Sequence, residues 1–378
     1  MRPSFSAFHC YYEKKEGRRP PCKSHRPRTT PSEQARFSLA DAPMAGSVAL
    51  FPFSGLPLPP FLLAWICTAA ALLSGVVAAW RWQRSRRSRR PRLKLVGTVA
   101  ELFIYPVKSC RGVAVKRAEM TSLGLGSEKL RDRFWTVIKE DGQMVSAKNI
   151  PRMVLISVSC EDDYLILNAP GMKTLRIPVE LPQTNSIWNC TRYGLQTQGR
   201  DCGDEAAEWI STFLNVEPYR LIHYETNMVT RKPGDFLPAF LPKDEVAYAE
   251  ASPLLLISEA SLDDLNTRLE KKASITIFRP NIVIKGCSPY EEDSWVDILI
   301  GTVKLKGKMS CPRCIFTAVD PDTGIIGEKE ALKALKSYCK CDPSEEHDYK
   351  SNPPFGWLYG VEETGVLEVG DSVYKIIS

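Results

Sequence analysis

The chain has 378 residues, 44% hydrophobic and 25% charged, long enough for two domains with their own cores and ordinary for a globular protein. Its net charge of +6 is unevenly placed: residues 1–43 carry +5, residues 81–94 hold eight basic and no acidic side chains, and residues 95–378 are left at −7. An acidic body behind a basic collar argues against nucleic-acid binding by that body, and twelve cysteines scattered through so long a chain read as reduced thiols of a cytosol-facing protein, not as a disulfide scaffold.

Residues 1–43 are polar and proline-rich without hydrophobic periodicity, so a disordered extension is predicted there. Met44 is a natural start, which leaves the translation of that extension open. Residues 61–80 then run for twenty positions without a charge. At about 1.5 Å per residue they match the thickness of a bilayer core, and Trp65 and Trp80 suit interfacial anchors. The basic collar at 81–94 follows directly, which by the positive-inside rule keeps the collar and the body in the cytosol. A cleaved signal peptide would carry its basic residues before the apolar run, so one uncleaved transmembrane helix is predicted.

Beyond the collar most segments read as strands. VGTVAELFIYPVKS, RFWTVIKEDG with an Asp141–Gly142 turn, and MVLISVSCEDDYLILNAPG are rich in β-branched and aromatic residues. Cys160 and Cys190 fall inside such strands. Helical spacing first appears in GDEAAEWISTFLN, where Ala206, Trp209, Ile210 and Phe213 share one face behind acidic first-turn residues. SLDDLNTRLEK predicts a second helix capped by Ser261 and Asp264, with Leu262, Leu265 and Leu269 on one side. EKEALKALKSY predicts a third from Glu328, and PLLLIS, PNIVIKG, DILIGTVKLKGK and GVLEVGDSVYKI read as strands around these helices. Strands and helices do not alternate strictly, and neither GxGxxG nor a Walker sequence is present, so an α+β body with a barrel-like sheet is predicted.

Little ordinary catalytic chemistry is visible. Of four histidines, His9 and His25 lie in the extension, His223 follows a strand-like YRLI, and His347 sits in a charged stretch. No HExxH and no GxSxG occurs, so neither a hydrolytic zinc site nor a serine hydrolase is supported. The CPRC sequence at Cys311–Cys314 stands out, and three readings are open for it. With Cys339 and Cys341 it could complete a four-cysteine zinc site, although the second pair has C-x-C spacing. A thioredoxin-like redox pair would lead into a helix, whereas CIFTAVDPDTG is strand-like. A single thiolate could instead bind a cofactor metal, with Arg313 as a neighbouring cation. A large anionic cofactor also needs fixed cationic groups at strand ends. Lys108–Ser109, Arg133 and Arg279–Pro280–Asn281 are in such places, although spacing alone does not bring them together.

Read together, VGTVAELFIYPVKSCRG, LRDRFW, GRDCGDEAAEWI, IFRPNIVIKGC, EEDSW, CPRCIFTAVDPDTG and LKSYCKCDPSE resemble the mitochondrial amidoxime-reducing components, members of the MOSC superfamily, over residues 44–378. Cys339 departs from the family pattern, which weighs against the four-cysteine site. The resemblance implies a β-rich N-terminal domain at 95–183 and a MOSC barrel-like domain with flanking helices at 184–378. It implies a molybdenum–molybdopterin cofactor with Cys314 as the catalytic metal ligand. Lys108, Ser109, Arg133, Ser252, Arg279, Asn281, Pro312 and Arg313 would hold the pterin and its phosphate, with Cys287 near the active site and the role of Cys311 open. The implied reaction is reduction of amidoximes, N-hydroxyguanidines, hydroxamic acids and hydroxylamines, the metal gaining electrons one at a time before the N–O bond breaks. Implied donors are cytochrome b5 and NADH-cytochrome b5 reductase, at the mitochondrial outer membrane, with peroxisomes as a second candidate location. Two other functions compatible with the motifs are a membrane-tethered, zinc-stabilised scaffold and a sulfur-transfer protein.

Overall fold

Seven of the hydrophobic segments become the staves of a closed barrel in the computed structural model, which describes residues 91–235, 237, 239–338 and 352–377, together with residues 74 and 75. The staves are β1 (Arg92–Ile104), β2 (Leu254–Ser258), β3 (Ile282–Lys285), β4 (Asp297–Ile300), β5 (Val303–Pro312), β6 (Pro354–Glu363) and β7 (Ser372–Ile377). They run in the order β3–β2–β6–β5–β4–β7–β1, and β1 pairs back onto β3 with Leu102 opposite Ile282. Closure removes the exposed strand edges that an open sheet would leave. Among the described residues from 91 onward, three α-helices accompany the sheets: α1 (Asp204–Leu214), α2 (Glu259–Asn266) and α3 (Glu330–Tyr338). The β2–β3 pair is parallel, and the crossover that a parallel pair requires carries α2 and a 3-10 turn at Ile275–Phe278.

Period-two alternation decides which side chains fill the barrel. Leu254, Leu256, Ile282, Ile284, Ile298, Ile300, Val303, Leu305 and Tyr359 form its interior. Each aliphatic side chain so buried stabilises the fold by about 1.5–3 kcal/mol. A second core lies under the front of the body, where Trp135–Lys139, Tyr219–His223, Leu195–Asp201 and Ile187–Arg192 make a four-stranded sheet. The apolar face predicted for α1 is the face that joins this core, with Ala206, Trp209, Ile210 and Phe213 all buried.

β5 departs from simple alternation. Gly307 lies opposite Tyr359, but Met309 lies opposite Leu358, so one extra residue is inserted between them. Odd-numbered side chains therefore face the barrel interior at Val303 and Leu305 and the outer, separate core at Met309 and Cys311. Gly307 is required for close approach: a Cβ there would sit 2.9 Å from the Trp295 carbonyl oxygen and 2.8 Å from Trp357 Nε1.

Two predicted boundaries move. β1 begins at Arg92, so the end of the basic collar is already strand. The cap of α2 is Ser258, whose hydroxyl accepts from the Ser261 amide at 3.1 Å, and not Ser261 itself. Ser258 has the extended backbone of a cap (φ −93°, ψ 147°), whereas Ser261 lies inside the helix and its hydroxyl donates to the buried Glu292 carboxylate at 2.7 Å. Among the described residues no helix is long and apolar enough to cross a membrane. The predicted extension at 1–43, the predicted span at 61–80 apart from residues 74 and 75, the collar before residue 91, and Cys339, Cys341 and His347 lie outside the described residues.

Candidate functional site

The outward-facing Leu255, Met309 and Leu358 form part of the wall of a cavity of about 290 Å³ on the outside of the barrel. Every residue expected to hold a cofactor lines this one cavity: Lys108, Ser109, Arg133, Ser252, Arg279, Asn281, Pro312, Arg313 and Cys314. Cys287 does not line it; its half-buried side chain packs against the barrel core instead.

Backbone lacing explains how distant motifs meet. The Lys108 amide donates to the Trp135 carbonyl at 2.8 Å, and the Arg133 amide donates to Tyr105 at 2.8 Å, which ties the IYPVKS turn to the LRDRFW segment. Asn281 ties both to the barrel: its carbonyl accepts from the Phe103 amide at 2.9 Å and its amide donates to Leu255 at 2.8 Å. Asp132 adds a buried carboxylate that accepts from the Tyr105 amide at 2.8 Å, from Asn281 Nδ2 at 3.0 Å, and from the Arg133 guanidinium. The Asn281 side chain is thus used within the protein, its oxygen accepting also from the Leu255 amide and from Arg133.

The two arginines of these motifs share a ring. The Arg279 guanidinium carbon lies 4.1 Å from the Tyr105 ring centre and that of Arg133 lies 4.8 Å from it, both in cation–π range. Burial, partly offset by Tyr105, lowers the Arg279 guanidinium to about 10, so it stays charged at neutral pH. Arg313 is held more tightly: Nε donates to the Phe355 carbonyl at 2.7 Å and Nη1 to that of Phe278 at 2.8 Å. Gly356, with φ +73°, leaves room for this arrangement, since a Cβ there would meet Ile257 at 2.5 Å and Arg313 at 3.3 Å. Next to it Cys314 is the extended cap of the 3-10 turn Ile315–Ala318, and its side chain makes no capping hydrogen bond. Burial raises the Cys311 thiol, which keeps it protonated, and Cys311 belongs to the apolar wall. No disulfide joins the described cysteines, and among the described residues no group of three or more His, Cys, Asp or Glu side chains is placed to hold a metal.

Residues that no motif singled out complete the wall, among them Glu250, Arg192, Tyr193, Ser146 and Lys148. Glu250 accepts from Lys108 Nζ at 2.6 Å, from Arg192 Nη2 at 2.8 Å and from the Tyr193 hydroxyl. Burial alone would raise the Glu250 carboxyl, but Lys108 and Arg192 hold it well below its ordinary value. Lys108 is lowered by its own burial, against the pull of Glu250. Ser146 also lines the cavity. A signal for some of this was present in the Tyr193–Gly194 pair, a two-residue turn between the strands Ile187–Arg192 and Leu195–Asp201 in which both residues have positive φ. Ser109, Arg133, Tyr193 and Arg279 are four of the eight non-glycine residues with positive φ among the described residues, and all four line the cavity. Such backbone is costly and persists where surrounding contacts over-determine it.

The charge balance suits an anion. Lys108, Arg133, Lys148, Arg192, Arg279 and Arg313 line the cavity against the single carboxylate of Glu250, in a body whose overall charge is negative. Arg192 Nε, Arg279 Nη2 and Ser146 Oγ are buried there without a hydrogen-bond partner. Buried donors of this kind cost stability unless a ligand or water meets them. The donor set therefore fits an anionic pterin cofactor, and the Cys314 sulfur, which makes no capping hydrogen bond, fits a soft metal ligand.

Comparison with known proteins identifies the family. Residues 96–217 match the MOSC N-terminal beta barrel domain family and residues 243–374 match the MOSC domain family. Over 296 residues the chain is 55% identical to mitochondrial amidoxime reducing component 2 of Bos taurus, covering 78% of this chain and 88% of that one. It is 52% identical to mitochondrial amidoxime-reducing component 1 of Homo sapiens over 314 residues, 82% and 93% of the two chains. Mitochondrial amidoxime-reducing component 1 of Xenopus laevis is 42% identical over 340 residues, 89% of this chain and 99% of its own. The chain belongs to the mitochondrial amidoxime-reducing component family, built from the MOSC N-terminal and MOSC domains.

Proposed function

We propose that this protein is a molybdenum-cofactor-dependent reductase of N-hydroxylated compounds, including amidoximes, N-hydroxyguanidines, hydroxamic acids and hydroxylamines. The observation that carries the proposal is the meeting of nine motif residues around one cation-rich cavity in a chain about half identical to amidoxime-reducing components. When bound, the cofactor supplies two electrons, which with two protons convert the N–OH group to N–H and water. Cys314 is the residue proposed to ligate the metal. Arg133 and Arg279, spaced by the Tyr105 ring, and Lys108, held by Glu250, would fix the anionic pterin. Leu255, Phe278 and Met309 give the cavity an apolar wall, which would exclude water from a bound substrate. The motif residues divide along the chain: the region 95–183 contributes Lys108, Ser109 and Arg133, and the region 184–378 contributes Ser252, Arg279, Asn281, Pro312, Arg313 and Cys314.

Cytochrome b5 and NADH-cytochrome b5 reductase as electron donors, and an anchor at 61–80 that holds the body on the cytosolic side of the mitochondrial outer membrane, belong to the same proposal. A tether raises the effective concentration of membrane-held partners, which gives the anchor a physical purpose. Elemental and pterin analysis, paired with benzamidoxime reduction by cytochrome b5 and its reductase, tests it. Stoichiometric molybdenum and turnover are expected; stoichiometric zinc without pterin would overturn the assignment. Cys314→Ser is expected to abolish turnover and leave the unfolding curve unchanged, and retained turnover would move the metal ligand elsewhere.

A further inference from the structure

We propose that Ser146, Lys148 and Arg192 form a phosphate-binding wall of the cavity, additional to the motif residues. The inference rests on reading this cavity as the cofactor site and extends it to residues outside every recognisable motif. Three observations converge on it. First, Arg192 and Ser146 line the cavity, and Arg192 Nε and Ser146 Oγ are buried with no hydrogen-bond partner among the described residues. Ser146 is only 5% exposed, so a donor left empty there costs stability unless something else meets it. Second, Lys148 also lines the cavity and makes no ion pair among the described residues, whereas Lys108 and Arg192 share Glu250. The group therefore holds more positive charge than its carboxylate neutralises.

Third, the backbone brings these residues together by a route unrelated to the barrel. The Met144 amide donates to the Thr191 carbonyl at 3.2 Å, and Gln143 bridges to Thr191, so the segment carrying Ser146 lies against the strand that ends in Arg192. The Asn149 and Ile150 amides both donate to the Ser146 carbonyl, at 2.9 and 3.1 Å, and fix the turn that presents Ser146 and Lys148. A hydroxyl, an ammonium and a guanidinium edge on two laced segments match a phosphate monoester, which offers several acceptor oxygens and a double charge. The chemistry admits the phosphate of the bound cofactor or free inorganic phosphate, and the experiment separates the two.

The full chain, produced in cells unable to make pterin, is titrated with inorganic phosphate by calorimetry. The same variants, produced in cells that make the cofactor, are assayed for molybdenum and pterin content. Lys148→Ala, Ser146→Ala and Arg192→Lys are each expected to weaken phosphate binding about tenfold, the usual weight of a charge-assisted hydrogen bond. They are also expected to lower cofactor content. Arg192→Lys keeps the charge that pairs with Glu250, so it guards against loss through misfolding. Unchanged phosphate affinity and cofactor content in folded variants would overturn the inference and leave the reductase assignment standing. Phosphate binding that depends on these residues in a protein that takes up no cofactor would overturn the reductase assignment and keep the site, as one for free phosphate. Loss of cofactor with no change in phosphate affinity would place the three residues on another part of the cofactor and overturn the phosphate assignment.

Discussion

Asp132→Asn is the sharpest test of how the motifs are held together. The Asp132 side chain is fully buried and serves three donors: the Tyr105 amide at 2.8 Å, Asn281 Nδ2 at 3.0 Å and the Arg133 guanidinium. Asparagine keeps the shape but has one acceptor oxygen and no charge, and its amide nitrogen must face one of those donors. The Arg133 side chain, 15% exposed, would retain the Tyr105 ring and, as a side-chain hydrogen-bond partner, Asn281 Oδ1 at 3.3 Å. A hydrogen bond to a charged group contributes about 1.5–3 kcal/mol, and an unpaired partner left in a buried pair costs about 3–5 kcal/mol. These values overlap in what they count, so a net loss of about 3–4 kcal/mol is expected. Urea unfolding followed by tryptophan fluorescence would show a lower midpoint at an unchanged slope, and the thermal midpoint would fall by about 10 °C. A loss below about 1 kcal/mol would refute the claim that Asp132 holds Arg133 and Asn281 in place.

His223 predicts a pH dependence. Its ring stacks on Trp135 at 4.3 Å, and burial lowers it from 6.5 to about 4. The unfolded chain therefore takes up this proton first, so the contribution is complete above pH 6.5 and is lost as the pH falls toward 4, by about 3 kcal/mol in all. The stability difference between wild type and His223→Phe, measured from pH 7 to 4, is expected to follow that window; a flat difference would contradict it. Gly307→Ala drives a methyl group onto the Trp295 carbonyl, a backbone atom that cannot yield cheaply, and is expected to cost about 1–3 kcal/mol in chemical denaturation. An unchanged midpoint would mean that β5 relaxes around the methyl group.

Much of the body was legible in the sequence because period-two and period-3.6 patterns report burial directly. PLLLIS and PNIVIKG became β2 and β3, and the apolar face of GDEAAEWISTFLN became the buried face of α1. The cap of α2 was misplaced by three residues because Ser258 and Ser261 are chemically equal as caps. Glu292 accepts from both hydroxyls, so the backbone decides between them: Ser258 is extended at the end of β2 and its oxygen also meets the Ser261 amide. Cys287 was expected near the site from the family resemblance, but it follows the end of β3 and packs against the barrel core. Glu250, Arg192 and Ser146 were missed for the opposite reason, since each lies in an ordinary-looking segment and gains meaning only from its neighbours.

The strand-rich body, the cation-bearing motifs and the isolation of CPRC from any histidine cluster follow from residue type and short spacing alone. That the motifs share one cavity depends on long-range folding, since the contacts that join them link residues as far apart as Phe103 and Asn281. Long-range folding also decides which way CPRC faces. One inserted residue after Gly307 turns the strand over, and a half-period shift sends Cys311 to the cavity wall instead of the barrel interior.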